Sequence, residues 1–230
     1  MVSVCMATYN GGLYIKEQIE SILSQLSSDD ELIISDDGSK DNTIEVIKGI
    51  EDKRIRLYIN NGTHGYVHNF GNALDKAKGD YIFLSDQDDI WLPEKVERCC
   101  SLLKEHILVN HNSYLTDKDG IKTGKDFYSI VKPKAGFWQT LWQNRYCGAN
   151  MAFRKELLSY ALPFPQNTPA HDIWLALIAE KHGKTVFDET CLIKYRRHNN
   201  NTSSCTEKSK LSLKRKIEYR LILLWNSLFR

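Results

Sequence analysis

FLSDQDDIWLP, residues 83–93, sets three carboxylates directly behind a short apolar run. The run completes YIFLS (81–85), which reads as a buried strand, and the acids form the loop that follows it. Working outward, VSVCMA (2–7), ELIIS (31–35) and IRLYI (55–59) are three more short, apolar, β-branched or aromatic runs. Helical stripes lie between them: Leu13, Ile15, Ile19, Ile22, Leu23 and Leu26, then Ile44, Val46, Ile47 and Ile50, then residues 67–78 with Gly79 as a C-cap. This alternation predicts an α/β fold, a Rossmann-like and mostly parallel sheet with helices on both faces.

Three of the strands end in polar loops: TYNGG, DDGSKDN and SDQDD. In an open parallel sheet ligands bind outside the carboxyl ends of the strands, so these loops are expected to converge. Asp86 and Asp88, one residue apart, can share a hard divalent cation that keeps positions open for substrate phosphates. The competing reading makes Asp86, Asp88 and Asp89 solvated loop or helix-capping residues. Asp36 and Asp37 have a bland reading too, because Asp41 or Asn42 can cap the next helix and Gly38 suits a tight turn. Two acidic strand ends beside a TYN loop are what favour a ligand site.

Past Pro93 the pattern changes. A helix (94–105), a strand (107–115), a TDKDG turn and a less regular stretch to Lys134 lead to GFWQTLWQN as a helix and CGANMAF as a strand. A helix beginning near His171 and two short strands, KTVFD and CLIKYR, follow. With few apolar runs of its own, this half is expected to pack onto the first sheet as a C-terminal elaboration.

Among 230 residues, 42% are hydrophobic and 26% charged, enough for one sizeable core. A formal net charge of +2 gives no argument for nucleic acid. The six cysteines, Cys5, Cys99, Cys100, Cys147, Cys191 and Cys205, form no CxxC pair and read as reduced thiols of a cytoplasmic protein. No secretory signal and no bilayer-spanning run is visible, so the sequons at Asn61 and Asn200 read as chance.

ATYNG, ISDDGSKDNT, GYVHNFGNALDKAKGDYIFLSDQDDIWLPEK, CGANMAFRKELL, HDIWLAL and YRRHNNNTS, in this order up to Thr202, resemble the family 2 glycosyltransferases of GT-A fold, in the bacterial branch that builds O-antigen and capsule. The resemblance implies an inverting rhamnosyl- or hexosyltransferase that takes a nucleotide-sugar donor, a lipid-linked glycan acceptor and Mn or Mg. It places Thr8, Tyr9, Asn10, Asp36, Asp37 and Asp86 at the nucleotide, and Asp86, Asp88 and His198 at the metal. Asn69, Trp91, Gly148, Asn150, His171 and Arg196 fall at substrate-binding positions, with Arg197 also near the diphosphate. The catalytic base falls on Asp172, since His171 replaces the first acid of the usual pair. No QxxRW motif is present, which argues for single-sugar addition.

The implied division is a transferase domain over 1–204, with a nucleotide half (1–92) and an acceptor half (93–204), and a basic tail over 205–230. In that tail Leu213, Ile217, Leu221, Leu224 and Leu228 share a helical stripe, with Lys210, Lys214, Arg215, Lys216 and Arg220 as a cationic face and Trp225 and Phe229 as interfacial anchors. It reads either as a membrane-surface helix at the inner face of the cell membrane or as one docked on protein. Two other functions remain open: a nucleotide-sugar-binding module without transferase activity, and a metal-dependent nucleotidyltransferase or phosphohydrolase.

Overall fold

The computed structural model describes residues 1–198 and 211–230. The 204/205 boundary, Cys205, the Asn200 sequon, Lys210 and the last residues of the resemblance lie outside the described residues. The first half forms β1 (Val2–Thr8), α1 (Ile15–Leu23), β2 (Glu31–Asp36), α2 (Thr43–Lys48), β3 (Ile55–Ile59), α3 (Tyr66–Leu74) and β4 (Tyr81–Ser85). β1, β2 and β4 are almost wholly buried, as near-continuous apolar runs in a parallel sheet must be. Ile15, Ile19 and Ile22 seat α1 on the sheet, whereas Leu13, expected on the same stripe, lies before the helix and is exposed. α3 ends at Leu74, so Gly79 is not its C-cap; a Cβ at Gly79 would stand 2.6 Å from the Ser3 amide, and the glycine lets the chain cross β1 closely.

The second half adds β5 (Ile90–Trp91), α4 (Lys95–Leu102), β6 (Leu108–Thr116), β7 (Lys122–Asp126), α5 (Phe127–Val131), α6 (Phe137–Trp142), a 3₁₀ turn (Gly148–Asn150), β8 (Met151–Arg154), α7 (Glu156–Ala161), α8 (His171–His182), β9 (Thr185–Arg196) and α9 (Leu213–Leu228). One sheet runs β3-β2-β1-β4-β8-β6-β9-β5, with β7 on β6. The first half is parallel throughout. The second half brings antiparallel pairs, β4 with β8, β8 with β6, β6 with β7 and β9 with β5, leaving β6 with β9 parallel. KTVFD and CLIKYR are one strand, β9, whose pairing with β6 shifts register around Asn112.

Each face of the sheet carries an apolar cluster drawn from both halves: Val4, Ile34 and Phe83 join Val109 and Ile193, while Ile33 and Leu84 join Phe153 and Trp174. In α8 the run from Trp174 to Ala179 is wholly buried, because α6, α7 and α9 surround it. Among the described residues no helix is long and apolar enough to cross a membrane. The described cysteines Cys5, Cys99, Cys100, Cys147 and Cys191 are free thiols.

Candidate functional site

Register aligns the strand ends. Thr8 of β1 lies opposite Asp36 of β2, and Met6 lies opposite Ser85 of β4, so the three acidic or polar loops leave one edge of the sheet. Two of those loops are braced from within. Asp36 is fully buried; it accepts from the Thr8 hydroxyl at 2.9 Å, the Gly38 and Ser39 amides at 3.0 and 2.8 Å, and the Ser39 hydroxyl at 2.6 Å. Asp37 accepts from Asn60 Nδ2 at 2.8 Å and the Gly65 amide at 2.7 Å, and it pairs with His64 Nδ1 at 3.0 Å. Asn10, at φ 51°, accepts from the Lys40 amide through Oδ1. Gln87 grips Tyr9 at both main-chain groups, accepting from its amide at 2.8 Å and donating to its carbonyl at 3.0 Å, and the Tyr9 ring stays exposed.

The loop after β4 is held by residues distant in the chain. Buried Gln18 of α1 donates to the Ser85 hydroxyl and the Asp86 carbonyl. β5 pairs with the end of β9, and this places Arg196 and His198 against the acids. Arg196 donates its amide to Asp89 Oδ1 (3.0 Å) and Nε to the Asp88 carbonyl (2.8 Å), reaches Glu17 at 2.6 Å and lies over the Tyr14 ring. His198 Nε2 stands 2.8 Å from Asp88 Oδ2, its ring stacked on Tyr14 at 4.9 Å between centroids.

Burial and crowding govern the charges here. Burial first, then Asp88 and Asp172, push the Asp86 carboxyl up to about 7. Burial, Asp88 and Asp86 likewise push Asp89 well above the carboxylate range, and its Oδ2 finds no hydrogen-bonding partner among the described residues. Beneath them lies Lys95, fully buried, its Nζ 3.0 Å from the Ala149 carbonyl and 3.9 Å from the centre of the Trp91 ring. Burial lowers its ammonium to about 8, partly offset by the acidic groups around it, Asp89 and Asp86 among them. Lys95 was not among the expected site residues, although a signal existed: it begins the stripe that continues through buried Cys99 and Leu103.

α8 brings the remaining acid. Asp172 accepts from Asn144 Nδ2 at 3.1 Å and from the Ile173 amide at 2.6 Å. A helix N-terminus favours a carboxylate, yet burial outweighs those hydrogen bonds and raises Asp172 to about 6. His171 stacks on Phe70 at 4.1 Å and meets Tyr66 edge-on; burial lowers it to about 3, so the ring is neutral. Gly148 makes room for it, since a Cβ there would approach His171 Nε2 to 2.5 Å.

The expected residues therefore divide by position. Asp86, Asp88, His198 and Arg196 meet at one edge, and Asp172 acts electrostatically on Asp86. Asn69 is buried, accepting from the Ser35 hydroxyl and donating to the Thr8 carbonyl, where it ties β1 to β2. Trp91 is buried against Phe83 rather than lining an open wall. Asn150 is fully buried, donating to the Ser113 hydroxyl at 3.3 Å.

Among the described residues no three His, Cys, Asp or Glu side chains are grouped so as to hold a metal ion by themselves. Asp88 Oδ2 and His198 Nε2, 2.8 Å apart, are two adjacent donors of the kind a divalent ion takes when a diphosphate and water supply its other ligands. The crowding that raises Asp86 is the kind of repulsion such an ion relieves.

A profile of the family described as Glycosyl transferase family 2 matches residues 3–161. The UDP-Glc:alpha-D-GlcNAc-diphosphoundecaprenol beta-1,3-glucosyltransferase WfaP of Escherichia coli is 36% identical over 125 residues, 54% of this chain and 50% of its own. The chain thus spans about half the length of that relative. WfgD of Escherichia coli, described by the same reaction, is 29% identical over 209 residues, covering 89% of this chain and 80% of its own. The mannosyltransferase PcManGT from Pyrobaculum calidifontis, solved in complex with GDP-Man and Mn2+, superimposes with a TM-score of 0.69 at 21% identity, covering 86% of this chain and 57% of the other. That likeness bears on the fold, which is the GT-A fold.

Proposed function

The chain belongs to glycosyl transferase family 2, and from that premise we propose that it moves one sugar from a nucleotide-sugar, a UDP-hexose or dTDP-rhamnose, to a lipid-linked oligosaccharide during surface polysaccharide synthesis, with inversion at the anomeric carbon. The observation that carries this reading is the acidic loop after β4, where Arg196 and His198 are held against Asp88 and the charges of Asp88 and Asp172 add to burial in raising Asp86. WfaP and WfgD are described with UDP-Glc as donor and a diphosphoundecaprenol-linked GlcNAc as acceptor, which supports both substrate classes. A lipid-linked acceptor holds the reaction at the cytoplasmic face of a membrane.

Each residue then has a task. The exposed Tyr9 ring, fixed at its main chain by Gln87, offers a face for the base, and the internally braced Asp36 and Asp37 loop frames the ribose. Asp86, Asp88 and His198 would hold a divalent cation, Mn or Mg; PcManGT was solved with Mn2+. When bound, such a cation supplies positive charge against the departing diphosphate. Asp172 accepts the proton of the acceptor hydroxyl while the new bond from that oxygen to the anomeric carbon forms and the bond to the diphosphate breaks. Neutral His171, wedged on Phe70, shapes the floor beside it.

Donor identity is tested by thermal shift with UDP-glucose, UDP-galactose, their N-acetyl forms and dTDP-rhamnose, with and without Mn. One nucleotide-sugar should raise the midpoint, and by more when metal is present. A folded protein that responds to none contradicts the transferase reading.

The raised Asp172 carboxyl sets a pH dependence. A base works only when ionised, so kcat at saturating donor, acceptor and metal should fall as pH drops through about 6, tending to a tenfold loss per pH unit below it. Saturating metal separates this limb from proton competition at Asp86. A kcat that stays flat between about pH 5 and about pH 8 excludes Asp172 as the base.

A further inference from the structure

α9 is only half used by the protein it packs on. Leu223 and Ser227 are buried against the domain, and Lys181 of α8 donates to the Ser227 carbonyl at 2.7 Å. The opposite face is open: Leu221, Trp225, Leu228 and Phe229 are 60–71% exposed, with Trp225 and Phe229 in edge contact at 5.3 Å. Beside it α6 exposes Trp138 at 69% and Trp142 at 72%. Arg220 of α9 joins the two helices, donating to the Trp142 carbonyl and lying 4.7 Å over its ring. Three exposed tryptophans, a phenylalanine and two leucines on neighbouring helices form a larger apolar face than an isolated surface needs.

The charges around this face choose the occupant. Residues 211–230 carry Lys214, Arg215, Lys216, Arg220 and Arg230 against Glu218, and exposed Lys132 and Lys134 precede α6. Twofold pairing with a second copy would oppose these cations to themselves, whereas an anionic lipid surface complements them. Tryptophan, with an apolar ring and one N–H, suits the headgroup boundary. We infer that the α6–α9 face is a docking surface for an anionic lipid bilayer, with Trp138, Trp142, Trp225 and Phe229 entering the headgroup region. The inference goes beyond the transfer reading and stands on the exposed face alone.

The test uses the whole chain with vesicles of phosphatidylcholine, alone or mixed with phosphatidylglycerol. The protein should float with the anionic vesicles and not with the neutral ones, and the bound fraction should fall as salt rises from about 0.1 M to about 1 M. Its tryptophan emission should be quenched by brominated acyl chains. Trp142→Gln/Trp225→Gln should weaken vesicle binding by at least about tenfold, with far-UV circular dichroism unchanged. Arg215→Glu/Lys216→Glu should weaken it without removing an aromatic ring. No flotation, equal flotation on neutral vesicles, or unquenched emission overturns the inference. So does light scattering that finds a vesicle-indifferent dimer which the tryptophan substitutions dissolve. The donor thermal shift requires no vesicles, so loss of docking and loss of donor recognition are read separately.

Discussion

Asp172→Asn is expected to cut sugar transfer by about a hundredfold to ten-thousandfold, the usual worth of a general base, while donor affinity stays within about twofold. The substitution preserves shape. Asp172 accepts from both Asn144 and the Ile173 amide; an asparagine keeps the Ile173 bond through its oxygen and gives up the one from Asn144, whose own oxygen stays engaged by the Tyr146 amide. Unfolding does not explain such a loss. The folded-state carboxyl lies at about 6, above the ordinary aspartate range, so the fold binds this proton more tightly than the unfolded chain does, and above pH 6 the ionised carboxylate costs stability. The neutral amide removes that cost, and the melting midpoint near neutral pH should hold or rise. Transfer kinetics, donor titration and thermal melting on one preparation check all three. A variant that keeps wild-type turnover would exclude Asp172 as the proton acceptor.

Asp88→Ala is the second large effect. Asp88 joins the acidic loop to His198 through its side chain, whereas Arg196 holds the loop through the Asp88 carbonyl and the Asp89 carboxylate. Truncating the side chain thus removes the proposed metal donor and leaves the main-chain clamp in place. Metal-dependent donor affinity should fall by more than the about 10–100-fold that loss of an outer-shell partner costs. Metal-free nucleotide binding and the melting midpoint should change little. Donor titrations by calorimetry with and without Mn decide it. Equal loss in both conditions would mean that Asp88 supports the loop rather than the ion.

Much of this site was legible before the structure because its signals are local. A strand end followed by SDQDD, or HDIW opening a helix, advertises itself within a few residues, and β1 to β4 follow the apolar runs closely. What stayed hidden depends on distant partners. Asn69 resembles a substrate-facing residue until the Ser35 hydroxyl and Thr8 carbonyl are seen to occupy it. Trp91 follows the acids in sequence but turns inward, because β5 pairs with β9 and carries it beneath the loop. Lys95 opens an apolar helical stripe with Cys99 and Leu103, which hints at burial, but only its position beneath Asp86 and Asp89 makes it the buried counter-charge of the loop. β7 is too exposed and polar to announce itself, and KTVFD with CLIKYR reads as two strands because a register shift, not a turn, separates them. The tail's stripe was visible, but which side of it meets protein is settled by Leu223 and Ser227 packing inward.

The central chemical event proposed for this chain is the net transfer of a single sugar. The most direct measurement incubates the wild-type protein with Mn, each nucleotide-sugar in turn and a prenyl-diphosphate-linked GlcNAc, then weighs the lipid product by mass spectrometry. A product heavier by one hexose or one deoxyhexose with one donor, absent for Asp172→Asn, is the expected result. Donor binding without any glycosylated lipid, in a folded protein supplied with metal and acceptor, would contradict it.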